Sequence, residues 1–488
     1  MRGKSFPLIA LAASVVGLVP ALAQGQTARE MAESIHSGDT TATALVDKAL
    51  SEADRLRDLK GFILLDGDGA RRAASASGRP QGPLAGVPIA IKDNINVAGL
   101  PTTGGTPTLR AWVAPQDAEI VKRLRAAGAI IIGKTNLHEL AFGITSKNAA
   151  FGTVRNARAS DRVAGGSSGG SAVVVAAGIV PAAIGTDTGG SVRIPSAFNG
   201  IVGFRPSTGR YPGDGIIPLA NRDTAGPMAA SVDDLVLLDG IMSGTSMKLE
   251  PVPLKGLRIG VPDAFNDDVD DAVSQVIAAA RARLEADGVE FVPVKLPGIA
   301  ALIEKIGIPA ALWEARRKLP AYLERNGIGV TMDALKAGIA SPDVKAIFAA
   351  IDGPDAVTDE AYRTAVQDLL PQLRAVYAET FVIGRFDAIM FPTSSVLPPL
   401  IAASDQTTTL NGREVPLFPT VIRNEDGGAN AGLPGLSIPA GVARGDLPVG
   451  LELDGPAFSD KRLLAIGLSV EKALNSPISP AAKVAPPR

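Results

Sequence analysis

Apolar positions along the chain fall into two alternating rhythms. Short, nearly continuous apolar runs at 62–65, 86–92, 129–132, 257–261, 289–294, 386–391, 436–439 and 449–453 predict strands. Between them lie stretches with a helical period. In 41–59, Leu45, Val46, Ala49, Leu50, Ala53 and Leu56 share one face. Further helices are predicted at 117–127, 231–241 and 269–286. Thr27-Ala-Arg-Glu30 is a capping box that opens a short helix, and Ser459 caps a last one. Residues 300–380 read as mostly helical; Trp313, Tyr322 and Phe348 there read as core, with pocket lining as the alternative. Residues 78–83 form a loop, and the Pro-rich C-terminal end frays. Strands alternate with helices throughout, with no internal repeat and no clear linker. That pattern predicts α/β layering around one large sheet.

One apolar run stands outside this alternation. Arg2 and Lys4 precede apolar residues from 6 to 22, which end on Ala21-Leu22-Ala23. A charged start, an apolar middle and small residues at a cleavage position describe a secretory signal peptide. Pro7 and Pro20 and the shortness of the run argue against an uncleaved anchor. Cleavage after Ala23 leaves 24–488 as the folded domain. No other stretch reaches the ~18 apolar residues a spanning helix needs. The expectation is a soluble, exported protein, periplasmic or secreted, with no stable membrane insertion.

Composition narrows the chemistry. The 488 residues are 46% hydrophobic, enough for a large core, and the net charge of −2 leaves no basic footprint for nucleic acid. Cysteine is absent, which excludes disulfides, zinc–thiolate sites and a cysteine nucleophile. Only two histidines exist, His36 and His138. A His-ligated metal centre needs more ligands unless carboxylates take over, and no metal or cofactor is expected. His36 reads as a surface or packing residue. A serine nucleophile needs a base, and with histidine this scarce the main alternative is lysine.

Two Gly-Gly-Ser clusters lie close together within 164–204. Ser167 sits in the first and Ser191 closes the second. Glycine pairs let the backbone reach positive φ, and successive N–H groups can then converge on one anion. A serine beside such a nest is a candidate nucleophile next to an oxyanion hole. Two plain surface loops are the other reading. The almost wholly apolar stretch 172–184 ties both loops to a buried element. Lys92 ends the apolar run 86–92. It is either a snorkelling surface lysine or, if buried, a neutral base. Two shorter matches are rejected. Gly128 to Thr135 fits a P-loop, but its middle residues are isoleucines that belong in a strand. Gly166-Ser-Ser168-Gly-Gly170 fits a nucleophile elbow, but that elbow needs a downstream histidine and none follows His138.

Gly165-Gly-Ser-Ser-Gly-Gly-Ser-Ala through Gly185-Thr-Asp-Thr-Gly-Gly-Ser-Val-Arg-Ile-Pro195 resembles the signature of the amidase signature family along its whole length. Similarity runs from about 27 to 475 and includes Pro88-Ile-Ala-Ile-Lys-Asp-Asn, Gly133-Lys-Thr-Asn and Pro448-Val-Gly-Leu. The Lys92–Ser167–Ser191 spacing matches the family's Lys–Ser–Ser arrangement. The resemblance implies Ser191 as nucleophile, Ser167 in a cis peptide as proton relay, and Lys92 as base. It implies an oxyanion hole from the N–H groups of Thr188, Gly189, Gly190 and Ser191. Ser168 supports the network by hydrogen bonding, and Asp187 and Arg193 are structural partners. It also implies a single α/β domain with a twisted mixed sheet covered by helices. The substrate implied is a small-molecule amide; homodimer formation stays open. Stretches 134–143 and 203–215 look like indoleacetamide and mandelamide hydrolases, which points toward arylalkyl carboxamides. Anilide, ester and carbamate cleavage stay open, as do a glutaminyl-tRNA-type amidotransferase subunit, which the signal peptide argues against, and a non-enzymatic binding protein or NTPase. The family often has cysteine where this chain has Asn199, expected to affect packing alone. Asp93, next to Lys92 on a strand, should point to the opposite face and leave Lys92 without a close carboxylate.

Overall fold

The protein is described by a computed structural model that covers residues 26–76, 81–403 and 405–474. The signal-peptide reading, part of the 78–83 loop and the C-terminal tail lie outside these residues. Eleven strands form one mixed sheet. They are β1 (Phe62–Leu65), β2 (Pro88–Lys92), β3 (Ile130–Thr135), β4 (Ala182–Asp187), β5 (Val202–Arg205), β6 (Thr224–Ala229), β7 (Arg258–Pro262), β8 (Glu290–Val294), β9 (Ala388–Pro392), β12 (Gly435–Ala443) and β13 (Leu447–Asp454). Their order is β1-β3-β2-β4-β6-β5-β12-β13-β9-β7-β8, while β10 (Thr407–Leu410) and β11 (Arg413–Pro416) make a separate hairpin. β2 runs parallel to both β3 and β4, and β7 to both β8 and β9; the remaining pairs are antiparallel. Central strands covered on both faces read as continuous apolar runs, which is why β2 and β3 were legible without alternation.

Helices cover the sheet. Val232–Ser243, Asp271–Ala286 and Asp460–Leu474 pack on it and on one another. Gly169–Ala176, Arg193–Asn199 and Leu417–Ala431 form a second group against β2, β4, β12 and β13. Every residue of Gly169–Ala176 is buried, because its glycines and alanines let the helix lie close to the sheet. Residues 299–384 are almost wholly helical, as predicted. Ile299–Arg325 and Pro342–Asp352 close over the core through an apolar cluster of their own. In it Leu319, Tyr322, Val344 and Phe348 meet Leu140, Phe142 and Leu219. These helices form a cap over the segments that carry Leu140, Phe142 and Leu219.

Most predicted elements recur with shifted ends. The capping box at Thr27 and Glu30 forms, and the 41–59 helix is Ala42–Arg55 followed by a short turn at Arg57–Leu59. The helix predicted at 117–127 is shorter, Glu119–Ala126, because Ala118 adopts an extended ψ of 150° and its N–H bonds Asn96. Ser459 precedes the last helix, but its buried hydroxyl finds no partner, so the expected cap is not made. Its neighbour Asp460 instead accepts from the N–H and hydroxyl of Ser207.

Candidate active site

β2, β4 and the two glycine-rich loops converge at one point. Lys92, the last residue of β2, is fully buried and donates to Ser167 Oγ and to Thr186 Oγ1, each at 2.8 Å. Asn94 donates to the same Thr186 hydroxyl at 3.0 Å. Burial pulls the Lys92 ammonium down from its ordinary range to about 7, against the opposing charges of Asp187 and Asp223. Asp93 takes no part: it pairs with buried Lys134 at 2.8 Å, as strand alternation predicts.

The Gly166–Ser167 peptide is cis. The carbonyl of Ser167 accepts from the His138 N–H at 3.1 Å and from Ser146 Oγ at 3.3 Å. Ser146 Oγ also accepts from the Gly169 N–H, so it pins both sides of the loop. Gly165, at φ +77, cannot carry a side chain, since a Cβ there lands 2.8 Å from Pro195 Cα. Ser168 stitches the two loops together. Its N–H donates to the Ser191 carbonyl at 3.1 Å, and its hydroxyl donates to Thr186 O and accepts from Thr186 N–H. Ser191 itself opens into a cavity.

The loop 187–193 is shaped by a buried carboxylate. Asp187 accepts from the N–H groups of Gly190 at 2.8 Å and Val192 at 3.0 Å. Arg193 grips both its oxygens at 3.1 Å, and Arg205 reaches one at 3.0 Å. Burial opposes the charge, but the two guanidinium groups hold this carboxyl well below the usual range. Among the described residues, the N–H groups of Thr188, Gly189 and Ser191 meet no protein acceptor. These three N–H groups beside the Ser191 hydroxyl are free to receive an anion. The Gly190 N–H, expected among them, is instead spent on Asp187.

A cavity of about 430 Å³ opens beside Thr188, Gly189 and Ser191. Phe142, Ile144, Leu219, Ile308, Leu312, Ile347, Leu417, Phe418 and Ile422 make its apolar walls; His138, Thr145, Arg222, Asp343, Asp405 and Gln406 are its polar members. The amidase family profile matches residues 44–464. The chain belongs to the amidase family. It is a hydrolase of amide C–N bonds. The mandelamide hydrolase of Pseudomonas putida is 42% identical, covering 89% of this chain and 88% of that one. The indoleacetamide hydrolase of Rhizobium radiobacter is also 42% identical, covering 91% and 96%. A crystal structure of an amidase superposes with a TM-score of 0.82 at 34% identity over 92% of this chain and 99% of that one. The peptide amidase of Stenotrophomonas maltophilia gives 0.78 at 29% identity over 93% and 98%.

Within this amidase, Lys92 and Ser167 are in direct contact and Ser168 ties their loop to that of Ser191. Asp187 and Arg193 lie behind the loop as its support. The rejected P-loop is strand β3, and its Lys134 is locked by Asp93, Pro101 O and Thr102 Oγ1. Asn199 does more than pack. It donates to Ala164 O and Pro195 O and accepts from the Ala157 N–H, bracketing the chain that leads into the first loop. Tyr322 and Phe348 are core residues, and Trp313 stacks on Tyr362 at the surface. The apolar wall instead comes from their neighbours Ile308, Leu312 and Ile347. Helix Leu417–Ala431, which supplies Phe418 and Ile422, lay in a stretch with no sequence prediction. Thr186, Ser146 and Asp343 were also missed; only Thr186 lies inside the recognised signature.

Proposed function

We propose that this amidase hydrolyses a carboxamide with an aryl or arylalkyl acyl group, releasing carboxylate and ammonia through an acyl-enzyme on Ser191. The observation that carries the reading is Lys92: buried, near neutrality and hydrogen-bonded to Ser167, beside the loop of Ser191. Neutral Lys92 accepts the Ser167 proton as Ser167 takes that of Ser191. The Ser191 oxygen attacks the amide carbon, and the new oxyanion sits on the Thr188, Gly189 and Ser191 N–H groups. The proton returns from Lys92 through Ser167 to the leaving nitrogen as the C–N bond breaks. Water, deprotonated along the same relay, then cleaves the ester and restores Ser191. The apolar walls suit an aromatic acyl group, in line with what the two curated relatives are named for. Ser191→Ala should abolish turnover of an arylacetamide while leaving the fold intact, and a serine-directed covalent probe should label Ser191. Labelling at Ser168 overturns the assignment. Export also belongs to this proposal, on the strength of Arg2, Lys4 and the apolar run that ends at Ala23; an unprocessed N-terminus on the soluble native protein refutes it.

A further inference from the structure

The cavity beside Ser191 is mostly apolar, and its charged members are not equivalent. Arg222 is already committed. It donates to Thr188 O at 2.8 Å, to Gly307 O at 3.0 Å, to Asn430 Oδ1, and to Asp426, with which it pairs at 3.0 Å. Asp405 is matched by Lys147. That leaves Asp343, at the start of the cap helix Pro342–Asp352, facing His138 of the core. Their contact, His138 Nε2 to Asp343 Oδ2, is 2.8 Å. Thr145 Oγ1 lies 3.3 Å from the other ring nitrogen, and the Val344 N–H donates to Asp343 Oδ1. His138 is buried, whereas the Asp343 side chain is 41% exposed and so has lone pairs open to the cavity.

Both ring nitrogens of His138 are partnered, Nε2 with Asp343 and Nδ1 with Thr145, so the ring is locked and holds the carboxylate in one orientation. The Asp343 carboxylate is thereby fixed at the cavity beside apolar walls such as Phe142 and Ile347. A fixed acceptor in such a cavity favours a ligand that brings a donor and disfavours one that brings a like charge.

We propose that Asp343, oriented by His138, is a specificity residue: it accepts a hydrogen bond from a hydroxyl, ring N–H or ammonium on the acyl group and turns away acyl groups that carry an anion. The inference rests on the carboxamidase reading, because ammonia as leaving group leaves the cavity to the acyl part.

The test uses full-length protein and three amides: 2-phenylacetamide and its para-aminomethyl and para-carboxy derivatives. kcat/KM is measured for wild type, Asp343→Asn and Asp405→Asn. Asparagine keeps an oxygen for the His138 N–H, so the cap stays tied while the charge goes. Wild type should favour the aminomethyl over the carboxy amide, and Asp343→Asn should shrink that ratio at least tenfold, about 1.4 kcal/mol. An equal fall for all three amides in Asp343→Asn assigns the residue to cap docking alone and overturns the proposal. So does a ratio that moves in Asp405→Asn and not in Asp343→Asn. If wild type hydrolyses none of the three, the carboxamidase reading fails and the proposal falls with it; hydrolysis with unaltered ratios sinks the proposal alone.

Discussion

Lys92 is the group on which the proposed mechanism turns, and its titration sets a measurable pH profile. A lysine of ordinary pKa near 10.5 is neutral in only about one molecule in 3,000 at pH 7. At about 7 the buried Lys92 is neutral in roughly half. Holding it there costs about 5 kcal/mol relative to a free lysine, and burial at the end of β2 supplies that bias. kcat should therefore rise with pH, from roughly a tenth of its plateau at pH 6 to about nine tenths at pH 8. Lys92→Ala should lose roughly 10²–10⁴ of kcat, the usual contribution of a positioned base. Lys92→Arg should fail equally, because arginine stays charged. Stability carries the same signature. Between about 7 and 10.5 the unfolded chain binds the Lys92 proton and the folded chain does not, so wild-type stability should rise with pH across that window relative to Lys92→Met. The assays are pH–rate profiles on an arylacetamide and urea denaturation at pH 7 and 10. Near-normal kcat in Lys92→Arg refutes the reasoning, and so does loss of the rising limb in His138→Ala alone.

Other residues give separate tests. Asp223→Asn removes a negative charge that favours the protonated lysine, so the midpoint of the rising limb should move to lower pH, read from the same profiles. Gly190→Ala places a Cβ 2.7 Å from Glu425 Cβ at φ +106, so kcat should drop by more than about 100-fold, as when oxyanion donors are displaced. Asp187→Asn leaves Arg193 and Arg205 without their shared counter-ion and should cost about 3–5 kcal/mol in denaturant titrations, since a buried pair is broken from one side.

The local chemistry of the site was legible because it is contiguous. Ser167, Ser168, Asp187, Ser191 and Arg193 fall within two short glycine-rich stretches whose composition already implies tight turns and converging N–H groups. Lys92 was legible as the polar end of an apolar strand. What stayed hidden depends on chain segments far apart in sequence. Nothing near Asp343 marks it as a partner of His138, some 200 positions earlier. Phe418 and Ile422 sit on a helix whose Asn424, Glu425 and Asp426 break the expected apolar period, because all three are buried rather than exposed: Asn424 donates to Phe265 O and Pro392 O, Glu425 meets Arg193 and Asp426 meets Arg222. The Gly190 donor was misassigned for a related reason: composition shows that the loop can present N–H groups, but not which of them a buried carboxylate takes.

The charge balance behind the oxyanion loop links its shape to the base. Asp187, Glu425, Glu452 and Asp454 surround Arg193 and Arg205, all fully buried. Four carboxylates against two guanidinium groups leave two negative charges in excess, which a dry interior does not tolerate. Burial pushes Glu425 and Glu452 well above the usual range despite Arg193, and Asp454 to about 6, which moves the cluster toward charge balance. Asp187 can then remain ionised, which it must to hold the Gly190 and Val192 N–H groups and leave those of Thr188, Gly189 and Ser191 free. Asp187 also bears on Lys92: its charge raises the lysine, as that of Asp223 does, yet burial outweighs both and the amine stays near 7. Arg193 therefore acts through Asp187: it keeps that carboxylate ionised, and the carboxylate decides which N–H groups of the loop stay free beside Ser191.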